Sequence, residues 1–444
     1  MEVRDLIVTP IVIFLVFGVA YLLRPYFTDS VTRRYFIPAL VVRIAGALAL
    51  GFIYQFYYDG GDTYNFHTHG SRHVWEALTE DPDKGVRLFM RDDDQRGLYK
   101  YSSKIPFYRD DSSFAIIRLA TLFDLFTFST YSATAICFAI LGFIGSWLLF
   151  ITFYQDYRHL HAPIAFATLF IPSIIFWGSG LLKDTVTLAC LGVATFAVNK
   201  IFMKHKVTLF GVALLIVALY VLYEVKIYIL LTFLPACIIW IFLSSLNSIR
   251  SVMLRVTLFP VILTCSVTLA YFAMLKAGED NPKYSLSALS KTAQVTAYDI
   301  RYWTGREAGS GYALGELDGT WESMVRLAPQ AINVSLFRPY LWEVNNPLMF
   351  FSSMESLVLL FLTIFLLFRA RLVIWRRITK PVVLFCLIFS LVFAFAVGVS
   401  TYNFGTLTRY KIPLLPFYCI GLIILSYQEK SRRNDSAFDA TEKF

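Results

Sequence analysis

The segment Tyr57-Tyr58-Asp59-Gly60-Gly61-Asp62-Thr63 sets two carboxylates three residues apart around a pair of glycines. Backbone freedom at the glycines and partial desolvation at a membrane surface are the conditions that lift a carboxylate pKa toward that of a working base. Asp59 and Asp62 are therefore the candidate general bases. The same string also suits a glycine-rich exit turn with solvated aspartates, and residue types alone leave both readings open. His67, His69 and His73 follow at a spacing that scatters His69 from the other two on a helix. With Asp59 or Asp62 they offer donors for a metal site, or they are polar residues of an interfacial helix.

Cations suited to an anionic substrate recur in three strings. Arg338-Pro339-Tyr340-Leu341-Trp342-Glu343 and Asn403-Phe404-Gly405-Thr406-Leu407-Thr408-Arg409-Tyr410-Lys411-Ile412-Pro413 each combine arginine with aromatic residues next to an apolar run. Arginine binds phosphate bidentately, while Arg, Tyr and Trp also serve as interfacial anchors. Pro172-Ser173-Ile174-Ile175-Phe176-Trp177-Gly178-Ser179-Gly180-Leu181-Leu182-Lys183-Asp184 presents Lys183 among glycines, either to a lipid phosphate or as a snorkelling residue with Asp184 capping the next helix. Arg409, Lys411, Arg338 and Lys183 are the phosphate-binding candidates, and Asp110, Asp111, Glu343, Tyr410 and His67 form a second rank. Asp110 and Asp111 precede an apolar stretch and equally suit a helix N-cap. Asp92-Asp93-Asp94 beside Arg91 and Arg96 reads as a solvated mixed-charge turn, and Glu224 and Lys226 read as a mutual salt bridge.

The elements that must hold these residues are apolar. Of 444 residues 57% are hydrophobic and only 16% charged, with 41 Phe and 26 Tyr, which excludes a soluble or disordered chain. Runs near 6–23, 37–56, 130–153, 164–177, 184–199, 207–222, 227–245, 256–275, 348–368, 381–399 and 412–427 predict about eleven spans. The fold expected is an all-α polytopic membrane helix bundle. The stretch 114–128 carries Arg118 and Asp124 and fits an interfacial or re-entrant helix better than a span. Arg43 interrupts the second run, where a charge costs roughly 2.5 to 3.5 kcal/mol, so it should face a partner inside the bundle.

The net charge of +9 lies mostly in short loops and reads as a topology signal rather than a nucleic-acid surface. Threading eleven spans puts Arg24, Arg33, Arg34, Arg158, Lys200, Lys204, Lys206, Arg250, Arg255, Arg369, Arg371, Arg376, Arg377, Lys380, Lys430, Arg432 and Arg433 on one side. The positive-inside rule makes that side, and the C-terminus, cytoplasmic. Two long polar segments, 57–113 and 276–346, then lie outside and are expected to fold onto the membrane as short interfacial helices. Residues 1–427 form one transmembrane domain, and 428–444 a polar tail expected to be disordered. The N-terminal run lacks a basic flank and a small-residue cleavage site and reads as an uncleaved span. The six cysteines sit in apolar runs without metal-site spacing. No Walker A string occurs, and Gly309-Ser310-Gly311-Tyr312-Ala313-Leu314-Gly315 lacks the spacing of a dinucleotide loop.

In this order the features resemble the GT-C superfamily of membrane glycosyltransferases, in its bacterial envelope form, and also O-antigen polymerase-like proteins. The likeness covers the architecture from about Arg34 onward and is carried by the four strings around Asp59, Pro172, Arg338 and Arg409. It departs from the superfamily in one respect: the acidic loop follows the second span instead of the first. The resemblance implies transfer of a sugar from a polyprenyl-phosphate donor to a glycan, lipid or protein acceptor outside a bacterial cytoplasmic membrane. Asp59 or Asp62 would be the base, the cations would hold the leaving phosphate, and a divalent metal (Mg or Mn) is an optional cofactor. A polysaccharide polymerase is the alternative within the same chemistry, and a transporter or lipid flippase the alternative from another class.

Overall fold

The computed structural model describes residues 3–92, 96–247, 310–315, 320–370 and 374–427, with single positions at 264, 268, 294, 295 and 298. In chain order the helices are α1 (Val3–Phe27), α2 (Arg33–Phe56), α3 (Asp62–Phe66), α4 (Arg72–Glu80), α5 (Pro82–Met90), α6 (Tyr99–Ser102), α7 (Asp111–Thr127), α8 (Tyr131–Tyr154), α9 (His161–Ala165), α10 (Pro172–Trp177), α11 (Lys183–Val198) and α12 (Leu209–Asn247). They continue with α13 (Trp321–Arg326), α14 (Ala328–Phe337), α15 (Pro347–Ala370), α16 (Ile374–Arg377), α17 (Pro381–Thr401), α18 (Phe404–Tyr410) and α19 (Leu414–Ser426). No strand occurs among the described residues beyond the isolated bridge between Gly311 and Asn403.

Seven of these helices are long and apolar enough to cross a membrane, and the bent pair α18 and α19 makes an eighth. The chain is thus a multi-pass helix bundle whose natural surroundings are a lipid bilayer. Among the described residues the expected eleven spans are not all confirmed, and part of the difference is local. The 164–177 run is broken at Ile171, whose φ of −67° and ψ of 127° precede Pro172 at the start of α10. The 412–427 run bends by 64° against the segment before it. The 207–222 and 227–245 runs are the two parts of α12, separated as predicted by a kink at Lys226 (φ −148°, ψ 77°). At 39 residues α12 would be roughly 58 Å long if straight, about twice a hydrocarbon core. Its partners show two halves. Lys226 reaches the first turn of α11, while Phe233 and Trp240 lie against Phe389 and Phe385, progressively farther from the Thr401 end of α17. The 256–275 run, most of the 276–309 segment and the 428–444 tail lie outside the described residues. At 17 residues α7 is shorter than the helices that qualify as spans.

The bundle separates its charges by end. At one end Arg34 contacts His161, Lys204 pairs with Asp156, the rings of His159 and Tyr427 stand 4.2 Å apart, and Arg377 donates to carbonyls of Leu425 and Tyr427. At the other end lie Asp62, Asp110, Lys183, Asp184, Lys226 and Arg409. α8 joins the two ends, with Tyr131 bonded to Thr63 at one and Tyr154 to Asp29 at the other. Its middle packs tightly against α11: a Cβ on Gly145 would lie 2.3 Å from the Ala189 Cα, and one on Gly192 2.0 Å from the Gly145 carbonyl oxygen. The same contacts keep the neighbouring helices in register for the polar end.

Candidate active site at the polar end

The broken segments build the site. Arg43, fully buried in α2, donates to the Ile174 and Gly178 carbonyls at 2.9 and 2.6 Å and to Ser146 at 2.5 Å. The partner expected for this intramembrane charge is therefore the C-terminal turn of α10, where the Ile174 carbonyl accepts from both Gly178 N and Arg43 at the negative end of the helix dipole. Glycine is required there, because a Cβ on Gly178 would sit 2.5 Å from the Ile174 oxygen and 2.9 Å from Arg43 Nη1. Arg43 thus fixes α10 and presents Ser173 and Trp177 on the other side.

The Arg409 helix is fixed by a strap. Tyr312 N donates to the Tyr402 carbonyl at 3.0 Å, and Phe404 N to the Ser310 carbonyl at 2.9 Å. Asn403 caps α18 by accepting from the backbone of Gly405 and Thr406, and its amide donates to Ser310 Oγ.

Four charged side chains from four elements meet beside this helix. Arg409 donates through Nη1 to Asp62 Oδ2 at 2.6 Å and through Nε to Asp184 Oδ2 at 2.5 Å. The other Asp184 oxygen accepts from Lys226 Nζ at 2.5 Å, and that ammonium lies 4.3 Å from the centroid of the Tyr410 ring. Asp184 is 1% exposed and Asp62 42%, so the inner acid is fixed while the outer one sits at a mouth. Asp62 opens α3 directly after Gly60 and Gly61, whose φ values of 125° and 120° only glycine adopts readily.

Arg409 and Asp62 face a cavity of about 870 Å³. Its walls are the end of α2 (Tyr54, Tyr57, Tyr58), α10 (Ser173, Trp177), the first turns of α15 (Asn346, Phe351, Ser352, Glu355) and α18 (Asn403, Thr406, Arg409, Tyr410). On the wall supplied by α15, Glu355 accepts hydrogen bonds from Ser173 N at 2.8 Å and Ser173 Oγ at 2.7 Å.

The remaining candidates fall in different places. Asp59 is exposed at a positive φ of 53° and does not line the cavity. Lys411 is 1% exposed, does not line the cavity and donates to Ser356 at 3.0 Å. Arg338 pairs with Glu343 and lies over the Phe404 ring, supporting the strap region from behind. Burial alone would raise the Glu343 pKa, but its bonds to Arg338 and the Tyr340 backbone outweigh that and hold it below its ordinary value. Lys183 reaches Asp110 at 3.1 Å and Ser112 at 2.7 Å, and Asp110 caps α7. Burial opposes the Asp110 charge, yet Ser113, Lys183 and Ser112 together hold its carboxyl below the usual value. Asp111 pairs with Arg91. His67 is fully buried behind α3, with Nε2 3.3 Å from Asp124 Oδ1, and Asp124 also accepts from Ser71 and Thr134. His73 faces Glu76 and His69 is exposed. Among the described residues no three His, Cys, Asp or Glu side chains converge as a metal would need.

Three site residues were not selected as such from the sequence. Lys226 pairs with Asp184 instead of Glu224, and Asp184 is a partner of two cations rather than simply a cap. Glu355 is the only acid in α15, and an ionisable residue within an apolar run is itself the signal that marks it.

Comparisons with protein-family models, with curated proteins and with solved structures each found no match.

Proposed function

We propose that the chain is a membrane glycosyltransferase that moves a sugar from a polyprenyl-phosphate-linked donor to an envelope glycan, lipid or protein acceptor. In this reading the polar end faces the extracytoplasmic side of a bacterial inner membrane and the C-terminus is cytoplasmic, following the basic residues at the opposite end. The observation that carries the reading is a cavity at one end of an apolar bundle with Arg409 and Asp62 paired on its wall. Such a cavity suits a ligand with an anionic head and an apolar tail.

The four charges Asp62, Asp184, Arg409 and Lys226 sum to zero, so the network is closed until a new anion enters. The donor phosphate takes the Nη edge of Arg409 from Asp62, while Asp184 keeps Nε. The glycine pair lets Asp62 swing free, and its carboxylate accepts the proton of the acceptor hydroxyl. The acceptor oxygen bonds to the anomeric carbon as the carbon–oxygen bond to phosphate breaks, and the electron pair leaves on the phosphate. Arg409 stabilises that charge. The leaving group is already a phosphate, so no nucleotide-binding unit is required. A polysaccharide polymerase would use the same steps with a growing chain as donor or acceptor.

The test is a cell-based comparison of envelope glycans at matched protein levels, wild type against Asp62→Asn and Arg409→Ala. Loss of one glycan in both variants supports the reading. Unchanged glycans in both would remove it. A second reading, transport of a lipid or solute, is favoured by the helix break at Ile171 and the bend before α19, because discontinuous helices with charged groups also build transport sites. Lipid-flipping and uptake assays on the same variants separate the two.

A further inference from the structure

We propose that Glu355 and Ser173, with Trp177 beside them, form the subsite that holds the hydroxyl groups of the transferred sugar. The inference rests on the sugar-transfer reading above and adds a subsite to it. α15 is an apolar helix of 24 residues whose only charged members are Glu355 and Arg369. A carboxylate in its third turn carries an insertion cost that packing alone does not require. Among the described residues the hydrogen bonds to Glu355 come from one side, that of Ser173. Ser173 N reaches Oε2 and Ser173 Oγ reaches Oε1. An ionised carboxylate offers about four acceptor positions, so about two remain, and Glu355 lines the cavity.

The three carboxylates near the cavity differ in their use. Asp62 and Asp184 both accept from Arg409, and Asp184 also from Lys226. Glu355 is the acid whose hydrogen bonds come from neutral donors. Buried Lys411 donates to the adjacent Ser356 at 3.0 Å. Two acceptor oxygens on one carboxylate match two neighbouring ring hydroxyls, each of which donates. Trp177, Tyr54 and Phe176 give apolar faces for a sugar ring, and Asn346, Ser352 and Ser310 give further neutral polar groups on the same walls. Arg409 then takes the phosphate and Glu355 the sugar of one donor.

The test measures binding of polyprenyl phosphate, with and without a single glucose, galactose or mannose, to the full chain in lipid nanodiscs. Wild type should bind at least one glycosylated lipid more tightly than the bare phosphate. That gain should fall about ten- to a hundredfold in Glu355→Gln, as expected for loss of charge-assisted hydrogen bonds, and severalfold in Ser173→Ala. Glu355→Asp should recover part of it. Ser173→Ala keeps the inference testable if Glu355→Gln does not fold. A sugar-dependent gain unchanged in both variants overturns the subsite and leaves the transfer reading standing. Failure of wild type to bind any polyprenyl phosphate overturns the transfer reading, and the subsite with it.

Discussion

Asp62 and Arg409 are 347 residues apart in the chain and meet at 2.6 Å on the wall of one cavity. The contact joins the two ends of the described bundle: Asp62 follows the second span, and Arg409 lies in the first part of the bent last pair, α18 and α19. It also ranks the two aspartates of the glycine-rich loop, since Asp59 is exposed and off the cavity.

Under the proposed sugar transfer this ranking predicts unequal effects on its rate. Asp62→Asn should lower the rate about 10²- to 10⁴-fold, the usual contribution of a general base. Asp59→Asn should leave it within about twofold at equal expression. Initial rates from membranes with a radiolabelled donor pool measure both. Equal loss in the two variants would move the base out of this cavity.

Asp184 holds two cations in a dry environment, so removing it leaves Lys226 without its carboxylate partner and Arg409 with Asp62 alone. Asp184→Asn should destabilise the fold by about 3 to 5 kcal/mol, as for one partner removed from a buried pair. The double variant Asp184→Asn with Lys226→Gln should recover part of that. Thermal unfolding of the purified chain in detergent, read by fluorescence-detected size exclusion, gives the comparison, and additive losses would contradict the coupling.

Gly178 is enclosed by the Ile174 carbonyl and Arg43 Nη1. Gly178→Ala should displace α10 and lower the yield of monodisperse protein, by an overpacking penalty of about 1 to 3 kcal/mol. Gly18, with open space around it, is the control, and Gly18→Ala should behave as wild type in the same elution profile.

The tie between α7 and α11 should be acid-labile. Asp110 has a folded pKa below its ordinary 3.8, so its contribution is complete above that value and is lost as pH falls through the lower folded pKa. Limited proteolysis between pH 6 and pH 2.5 should show cleavage near 104–110 rising only below about pH 4. Asp110→Asn should make cleavage at pH 6 resemble that of the acidified wild type. A rise beginning near neutrality would assign the change to a different group.

The charge separation between the ends predicts topology. In a background without the native cysteines, Asp59→Cys should react with an impermeant maleimide on intact cells and His205→Cys only after permeabilisation. Both positions are exposed. The opposite pattern would invert the chain and place the cavity on the cytoplasmic side.

The sequence by itself determined the solvent and the ends. An apolar majority with few charges requires lipid around a helical bundle, because each backbone polar group at that depth must be paired within its own helix. It also marked Asp62 and Arg409, since acids beside glycines and arginines beside aromatics keep their chemistry in any fold. Periodicity could not find the break at Ile171 from the apolar run alone, nor show that Lys226 prefers Asp184 to Glu224 two residues away. Pairing of charges depends on which helices pack together, and helix order in a bundle is set by close contacts such as Gly145 against Ala189 rather than by local pattern. Only the tertiary structure brought Glu355 to Ser173, buried Lys411 and His67 off the cavity, and left Arg409 between two aspartates. A side chain's chemistry is local, but its partners, burial and field are decided by residues hundreds of positions away.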